Sequence, residues 1–424
     1  MSDFDMMNLP DALARRVAEM GLTQPTPIQA QAIPHALNGR DVMGLAQTGT
    51  GKTAAFGIPL IARLMEEGGK PAPKTARGLI LAPTRELAGQ IAAVLRELTS
   101  MRVQIVVGGV SINPQIQRLA KGADILVATP GRLLDLVERR AIRLADTGFL
   151  VLDEADQMLD LGFVHALRKI SELMGEDRQT MLFSATMPKQ MNEIAQSYLQ
   201  EPIRIEVNPP GKAADKVTQG VHFIAKAEKS ALLIELLDKH RENRALVFTR
   251  TKHGADRLAR ALERKGFAVA AIHGDKRQGQ RERALAAFKA REIRVLVATD
   301  VAARGLDIPD VKFVYNYELP NVPEAYVHRI GRTARAGKDG SAVAFCAPEE
   351  MDYLKDIQKV MKLSIPVLSG RAWEPVPDPN AKPAGGRGRG RPGAKPGGGR
   401  PGAPGTSKPS NRRRRKPKPK GPSA

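Results

Sequence analysis

The chain of 424 residues has little of several features, and each shortage excludes a class of protein. Its single cysteine, Cys346, cannot form a disulfide within the chain, which fits a reducing compartment. No run of about 18 apolar residues occurs, so no transmembrane helix is predicted. The opening stretch, MSDFDMMNLP, does not resemble a signal peptide, because it lacks a basic region followed by an apolar one. A cytoplasmic protein without a membrane partner is expected.

Acidic residues are absent from Ala381 onward, and apolar residues are scarce there. The same stretch carries fourteen Lys and Arg residues, two thirds of the net charge of +21. Segments such as GGRGRGRPG and NRRRRKPKPK cannot bury a core, so residues 376–424 are predicted to be a disordered basic tail. A polyanion is the expected partner of this tail, because binding releases counterions.

The remaining chain alternates apolar runs with helical patterns, which indicates an α/β fold built on parallel sheets. The runs are continuously apolar, as in strands buried on both faces. Pro, Gly and small polar residues at 208–216 interrupt the alternation and predict a linker. We therefore predict two domains of the same architecture, at residues 1–207 and 217–367. The predicted strands cover 41–46, 78–83, 103–109, 124–130, 149–156, 180–186, 245–250, 269–274, 295–300, 313–320 and 342–348.

The segment AQTGTGKT follows a predicted strand and precedes a predicted helix, as a phosphate-binding loop does. Glycines allow backbone N–H groups to face phosphates, and the helix N-terminus adds partial positive charge. Lys52 is expected to reach the β and γ phosphates of ATP, and Thr53 to bind Mg²⁺. The loop comprises Ala46, Gln47, Thr48, Gly49, Thr50, Gly51, Lys52 and Thr53.

About 100 residues later, the run LVLDEAD places two acids after an apolar strand. A magnesium–nucleotide site needs such acids opposite the phosphate loop. Asp153 is expected to hold the Mg²⁺ shell, partly through water. Glu154 is expected to act as the general base for the attacking water.

With the acidic motif DEAD, the sequence resembles the DEAD-box family of ATP-dependent RNA helicases. The other motifs of that family follow in order over about residues 4–365. The resemblance implies two tandem RecA-like domains. It implies that Gln29, within GLTQPTPIQ, reads the adenine edge and that Phe4 stacks on the base. The SAT motif implies that Ser184 and Thr186, with Asp156, couple hydrolysis to strand separation.

The second half carries neither a phosphate loop nor an acidic pair, but it supplies arginines suited to phosphate oxygens. The resemblance implies that Arg332 and Arg335 contact the γ-phosphate and the developing charge, that Asp307 contacts the ribose, and that His328 couples to the acidic motif. The Gln280/Arg283 pair is similar to a further motif that the family carries in its second domain. Ala334 stands where many relatives have Gly, and it is tolerable if its φ is negative.

Aromatic residues make up only 4% of the chain, so a base-stacking platform is not the expected way of binding RNA. Small polar residues, glycines and arginines favour contacts to phosphates and sugars, which carry little sequence information. Sequence-tolerant binding of RNA is therefore expected. The candidate RNA contacts are Pro83, Thr84, Arg85, Gly108, Gly109, Thr129, Pro130, Gly131, Arg132, Arg250, Gly274 and Thr299.

Two other functions remain open from the residues alone: a DNA-directed translocase on the same scaffold, and a non-catalytic RNA-binding scaffold. The compact core with a short basic tail is most similar to the bacterial RhlE-type subgroup. Ribosome biogenesis and RNA decay are both compatible with the sequence, so ribosome precursors or the RNA decay machinery are candidate partners.

Overall fold

The structure is a computed structural model that describes residues 4–46, 49–187, 189–207, 217–303, 311–334 and 339–373. Residues 1–373 form one compact unit, and residues 374–424 are a second unit that lies outside the described residues. The predicted tail and the predicted linker at 208–216 therefore remain predictions. Among the described residues, no helix has both the length and the apolar character needed to cross a membrane.

The first sheet has seven parallel strands in the order β3-β4-β2-β5-β6-β1-β7. Every neighbouring pair is parallel, so helices must cross over between strands and cover both faces. The strands are β1 (Val42–Leu45), β2 (Ala76–Leu81), β3 (Val103–Val106), β4 (Ala123–Ala128), β5 (Phe149–Leu152), β6 (Gln179–Ser184) and β7 (Ile203–Glu206).

Helices pack on both faces of the first sheet, and each face has its own buried apolar cluster. A 3-10 helix at Asp5–Met7 precedes them. The α-helices are α1 (Asp11–Glu19), α2 (Pro27–Leu37), α3 (Lys52–Glu67), α4 (Arg85–Leu98), α5 (Asn113–Leu119), α6 (Pro130–Glu138), α7 (Ala155–Asp160), α8 (Val164–Leu173) and α9 (Lys189–Tyr198).

The second sheet repeats this architecture, with seven parallel strands in the order β10-β11-β9-β12-β13-β8-β14. Its two faces also carry separate buried clusters. The strands are β8 (Val217–Phe223), β9 (Ala245–Thr249), β10 (Val269–Ile272), β11 (Val295–Thr299), β12 (Phe313–Asn316), β13 (Gly340–Cys346) and β14 (Val367–Ser369). The helices are α10 (Lys229–Lys239), α11 (Lys252–Glu263), α12 (Gln278–Lys289), α13 (Asp300–Ala303), α14 (Pro323–Ile330) and α15 (Met351–Met361), with a 3-10 helix at Pro348–Glu350.

The predicted fold class is confirmed, and each of the eleven predicted strands corresponds to an observed one. Three strands were missed: β7 and β14, which lie at sheet edges, and β8, which pairs with β13 and β14. In β7 and β14 most side chains are at least partly exposed, so no continuously apolar run marks them. β8 carries polar side chains at Thr218, Gln219 and His222, and its pattern was not apolar enough to identify.

The fold brings the phosphate loop, the acidic motif and the SAT motif together at the carboxyl ends of the strands. The phosphate loop follows β1, the SAT motif ends β6 and the acidic motif follows β5, and these three strands are neighbours in the sheet. Parallel strands direct all their carboxyl ends to one edge, where ligands of open α/β sheets bind. Motifs separated by more than 100 residues in the sequence therefore meet at one site.

Candidate active site and nucleic-acid interface

The phosphate loop has the backbone geometry that its glycines predict. Gly49 has φ +86°, and Gly51, the N-cap of α3, has φ +89°, a region that favours glycine. A Cβ at residue 51 would lie 2.5 Å from Nε2 of Gln29, so the loop has no room there for a side chain. Gln47 and Thr48 lie outside the described residues. The described part of the loop leads directly into the 16-residue helix α3, whose N-terminus faces the site.

Lys52 is buried, and its Nζ lies 3.5 Å from Oδ1 of Asp153. Burial lowers the pKa of Lys52, but attraction by Asp153, Glu154 and Asp156 outweighs it, so the pKa is raised overall. Burial raises the pKa of Asp153 to about 6, against the attraction of Lys52 and together with the repulsion of Glu154. The site therefore holds a buried cation among three carboxylates without a solvent shell to separate them.

This set of residues fits a magnesium nucleotide. Nζ of Lys52 is buried without a hydrogen-bond partner among the described residues, so a phosphate oxygen would satisfy it. No cluster of three or more His, Cys, Asp and Glu side chains arranged for a metal occurs in the described parts of the chain. Magnesium commonly binds through one or two carboxylates together with substrate phosphates, so a sparse protein ligand set is expected.

Glu154 stands at the N-cap of α7 with φ +51° and ψ +50°. This left-handed conformation costs a non-glycine residue about 1–2 kcal/mol. Its backbone N–H donates to Oδ1 of Asp153 at 3.0 Å, which holds the two acids in a fixed relation. Strain at a residue that the sequence selects as general base is typical of functional sites.

The two residues predicted to recognise adenine are both buried. The Gln29 side chain accepts a hydrogen bond from the backbone N–H of Thr26 at 2.9 Å and donates to the carbonyl of Gly51 at 2.9 Å. Gln29 thus connects the N-terminus of α2 to the phosphate loop. Phe4 is 3% exposed and packs with the first apolar cluster. The contacts of these two side chains with adenine remain predictions.

Asp156 connects the acidic motif to the SAT motif. Its Oδ2 accepts from the backbone N–H groups of Ala185 (3.1 Å) and Thr186 (2.8 Å) and from the Thr186 hydroxyl (3.0 Å). The Ser184 hydroxyl donates to the carbonyl of Thr186 and accepts from the backbone N–H of Asp156. Nε2 of His328, from the second domain, lies 3.7 Å from Oδ2 of Asp156. The predicted coupling residues are therefore in contact with one another.

A second contact between the domains involves Arg281, which the sequence did not single out. Arg281 of α12 lies 3.0 Å from the Glu86 carboxylate of α4, and both side chains are nearly buried. The neighbouring Gln280 accepts from the backbone N–H of Arg277, and Arg283 donates within its own helix. Helical geometry places Arg281 and Arg283 on different faces, and only the tertiary structure shows which face meets the first domain.

The structure describes two arginines of the last motif, Arg329 and Arg332. Arg332 is 3% exposed and follows α14, whereas Arg335 and Asp307 lie outside the described residues. Arg329 is not among the predicted site residues. It is 1% exposed and forms a bidentate ion pair with Asp300 at 2.5 and 2.7 Å. Arg329 also donates to Oδ1 of Asn316, so it holds α14 against the ends of β11 and β12. The spacing gave no signal that Arg329 points inward.

Ala334 has φ +55°, so the condition for tolerating alanine here without strain, a negative φ, is not met. The preceding Thr333 fixes this conformation, because its hydroxyl donates to the carbonyls of Val311 and Lys312. The chain must turn sharply after this anchor, and a left-handed residue provides the turn. Alanine therefore carries a backbone strain here that glycine would not.

A cleft of about 460 Å³ gathers most of the candidate RNA contacts from both domains. The N-termini of α4 and α6 lie at this cleft, and their partial positive charge suits a polyanion. The cleft is lined by the candidates Pro83, Thr84, Arg85, Gly108, Thr129, Gly131, Arg132 and Gly274, together with Glu86, Asp135, Leu161, Phe163 and Arg281, which the sequence analysis did not select.

Two arginines of the cleft pack against Gly109 and Val110. Both terminal nitrogens of Arg132 donate to the carbonyl of Val110 at 3.1 Å. A Cβ at Gly109 would lie 1.9 Å from Nη1 of Arg85, so a side chain at 109 would displace the guanidinium. The double glycine therefore leaves room for Arg85 beside the cleft.

Four candidates do not line this cleft: Gly109, Pro130, Arg250 and Thr299. Pro130 is the first residue of α6, and Thr299 is buried at the end of β11. Arg250 follows β9 and is partly exposed. Its contacts with RNA remain a prediction that the cleft alone does not test.

Comparison with known proteins agrees with this geometry. A family model described as DEAD/DEAH box helicase matches residues 26–194, and one described as helicase conserved C-terminal domain matches residues 228–337. The chain is 43% identical over 377 residues to the ATP-dependent RNA helicase CshA of Listeria monocytogenes, covering 88% of this chain and 72% of that protein.

Two solved structures share the arrangement of both domains. Dbp5 of S. cerevisiae bound to RNA and ADP BeF3 is 32% identical with a TM-score of 0.77, covering 87% of this chain and 96% of that one. The DEAD-box helicase Mss116 bound to ssRNA and UDP-BeF is 29% identical with a TM-score of 0.78, covering 87% of this chain and 79% of that one. The RhlE-type subgroup stays a prediction, but the motifs, the fold and the matches establish that this chain belongs to the DEAD/DEAH box helicase family.

Proposed function

We propose that ATP and RNA together hold the two domains of this chain closed, and that hydrolysis releases the RNA after local strand separation. As a member of its family, the chain is an ATP-dependent RNA helicase. The single observation that carries the mechanism is the cleft lined by side chains of both domains. A ligand bound across such a cleft favours closure, so RNA and ATP should each raise the affinity for the other.

The residues of the first domain would bind and activate ATP. Lys52 would contact the β and γ phosphates, and Asp153 and Thr53 would hold Mg²⁺, which would neutralise phosphate charge. Glu154 would accept a proton from the water that attacks the γ-phosphorus. The bond from that phosphorus to the bridging oxygen of ADP breaks, giving ADP and inorganic phosphate.

The second domain would complete the site when it closes. Arg332 and Arg335 would stabilise the charge on the transferring phosphoryl group, and Asp307 would contact the ribose. His328 would sense the state of the acidic motif through Asp156, which also binds the SAT motif. This chain of contacts supports coupling between hydrolysis and movement of the second domain.

RNA binding by the core would be tolerant of sequence. The candidate contacts are glycines, threonines, a proline and arginines, whose natural partners are phosphates and sugar hydroxyls. Phe163 is the one aromatic side chain lining the cleft among the described residues, too few for a stacking platform. Structured RNAs in ribosome assembly or RNA decay, in the cytoplasm, are suitable substrates.

The decisive experiment is steady-state ATP hydrolysis without nucleic acid, with single-stranded RNA, and with DNA of matched sequence. Strong stimulation by RNA alone supports closure driven by RNA. Equal stimulation by DNA would favour the DNA-directed translocase instead. Absence of hydrolysis under all three conditions would favour the non-catalytic scaffold.

A further inference from the structure

A buried ion pair lies under the carboxyl edge of the second sheet, outside the nucleotide site. The Lys229 ammonium at the start of α10 contacts the Glu350 carboxylate, and both side chains are 2% exposed. A buried charge is costly unless it is paired and fully hydrogen-bonded. Neither residue belongs to a motif selected from the sequence, so their burial requires another explanation.

The pair joins the loops that follow two adjacent strands. Besides Glu350, Lys229 donates to the carbonyls of Tyr317 after β12 and Phe345 in β13, both at 2.9 Å, which satisfies its three protons. Glu350 accepts from the backbone N–H of Leu319 at 3.1 Å and from that of Ala347 at 3.0 Å. The network therefore fixes the edge of the sheet where the candidate RNA contacts of this domain lie.

Arg250, which follows the neighbouring strand β9, reaches the same carboxylate. Its Nη2 lies 3.9 Å from Oε1 of Glu350, and its guanidinium carbon lies 5.5 Å from the centre of the Tyr353 ring. Nη1 donates to Oδ1 of Asn321 at 3.4 Å. The Arg250 side chain remains 25% exposed, so its guanidinium contacts Glu350 and Tyr353 and is still accessible to solvent.

We propose that Glu350 is a positioning residue for RNA binding, which orients Arg250 toward an RNA phosphate. The Glu350 carboxylate faces two cations, Lys229 and Arg250, whereas the neighbouring Glu318 carboxylate accepts from the backbone N–H of Arg250 and not from its guanidinium. Lys229 holds the carboxylate in place, and Tyr353 limits the motion of the guanidinium. This inference rests on the proposed role of Arg250 in RNA binding.

The test measures RNA affinity and its salt dependence in the full chain, with a non-hydrolysable ATP analogue present. The variants are Arg250→Ala, the double variant Lys229→Met with Glu350→Leu, and the triple variant that combines all three changes. The double variant removes both buried charges together, because Glu350→Gln alone would leave Lys229 unpaired and endanger folding. Glu235→Gln, in the exposed pair with Lys239, is the matched control.

We expect Arg250→Ala to weaken RNA binding roughly fivefold and to lower the salt slope by about 0.7. The double variant should reproduce part of both changes, and the triple variant should be no weaker than Arg250→Ala. ATP affinity without RNA, and all properties of the control variant, should stay close to the parent. The double variant should unfold at a lower temperature, because the backbone groups bound by Lys229 and Glu350 lose their partners.

Three results would overturn the proposal, and they are distinguishable. A folded double variant with parental RNA affinity and salt slope would show that Lys229 and Glu350 serve stability alone. Parental RNA affinity in Arg250→Ala would remove the role of Arg250, and with it the role of Glu350. A triple variant much weaker than Arg250→Ala would show that Glu350 acts by another route.

Discussion

At the scale of single residues, the described parts of the helicase motifs contain two non-glycine residues with left-handed backbone. Glu154 has φ +51° in the acidic motif, and Ala334 has φ +55° in the arginine motif. Each is fixed by its neighbours, Glu154 through Asp153 and Ala334 through the anchored Thr333. The strain has different meanings in the two places, because the role proposed for Glu154 is chemical whereas Ala334 shapes only the backbone.

Replacing Glu154 with Gln should separate binding from turnover. The amide keeps the size and the strained backbone but cannot accept the proton of the attacking water. We expect RNA-stimulated ATP hydrolysis to fall by about 10²–10⁴-fold, with ATP and RNA affinities retained. Hydrolysis at the parental rate would mean that another group is the base, and Glu138→Gln on the surface is the control.

Replacing Ala334 with Gly should stabilise the second domain. Glycine adopts φ +55° without a Cβ clash, so the free energy of unfolding should rise by about 1 kcal/mol. Thermal unfolding measures the change. Ala286→Gly, on the exposed face of α12, should instead lower stability by about 1 kcal/mol, since glycine is unfavourable inside a helix. A lower melting temperature for Ala334→Gly would contradict the strain.

At the scale of elements, the N-termini of three helices lie at the phosphate loop or at the cleft that gathers the candidate RNA contacts. α3 begins at the phosphate loop, and α4 and α6 begin at the RNA cleft. The first turn of each helix carries unsatisfied N–H groups that suit phosphates. The caps of these helices therefore matter both for local stability and for the orientation of the loops before them.

Thr84 provides a specific case, because its hydroxyl accepts from the backbone N–H of Leu87 at 3.2 Å and caps α4. Thr84→Ala should lower the free energy of unfolding by about 1 kcal/mol, and Thr84→Ser should restore most of it. Chemical denaturation monitored by circular dichroism gives both values. Equal stability of the Ala and Ser variants would argue against the cap.

At the scale of the whole molecule, the described residues include two ion-pair contacts between the domains: His328 with Asp156, and Arg281 with Glu86. The first lies at the acidic motif and the second at the cleft that gathers the candidate RNA contacts. A ligand that stabilises one contact favours the other, because both require the same relative position of the domains.

Arg281→Glu should weaken closure by placing two carboxylates together. We expect the mutual enhancement of ATP and RNA binding to fall by roughly tenfold, while ATP binding without RNA is unchanged. Combining it with Glu86→Arg should restore part of the enhancement. Measuring the affinity for RNA with and without an ATP analogue provides the test, and a single variant with parental coupling would exclude this pair as a link.

Deleting residues 376–424 should weaken RNA binding at low salt. The deleted stretch carries fourteen positive charges, so the salt dependence of RNA binding should also become flatter. Binding titrations at several salt concentrations measure both effects. Unchanged affinity at low salt would leave the tail with a solubilising role only, and RNA-stimulated hydrolysis at saturating RNA should persist in either case.

The sequence alone determined the fold class and located the motifs that carry the candidate site residues. Continuously apolar strands, the loop AQTGTGKT and the acids of LVLDEAD are local patterns, and their physical causes act over a few residues. Eight of the candidate RNA contacts meet in one cleft because each follows a strand whose carboxyl end reaches that edge, or lies close to that end. Their roles in binding remain predictions.

The tertiary structure decided which side chains meet across long distances. Arg281 rather than Arg283 reaches Glu86, Arg329 is buried against Asp300, and Lys229 pairs with Glu350. A charged residue has the same local pattern whether it points to solvent or to a partner more than 100 positions away. Only the packing of two sheets and their helices chooses between these outcomes, because burial makes a charge require its partner.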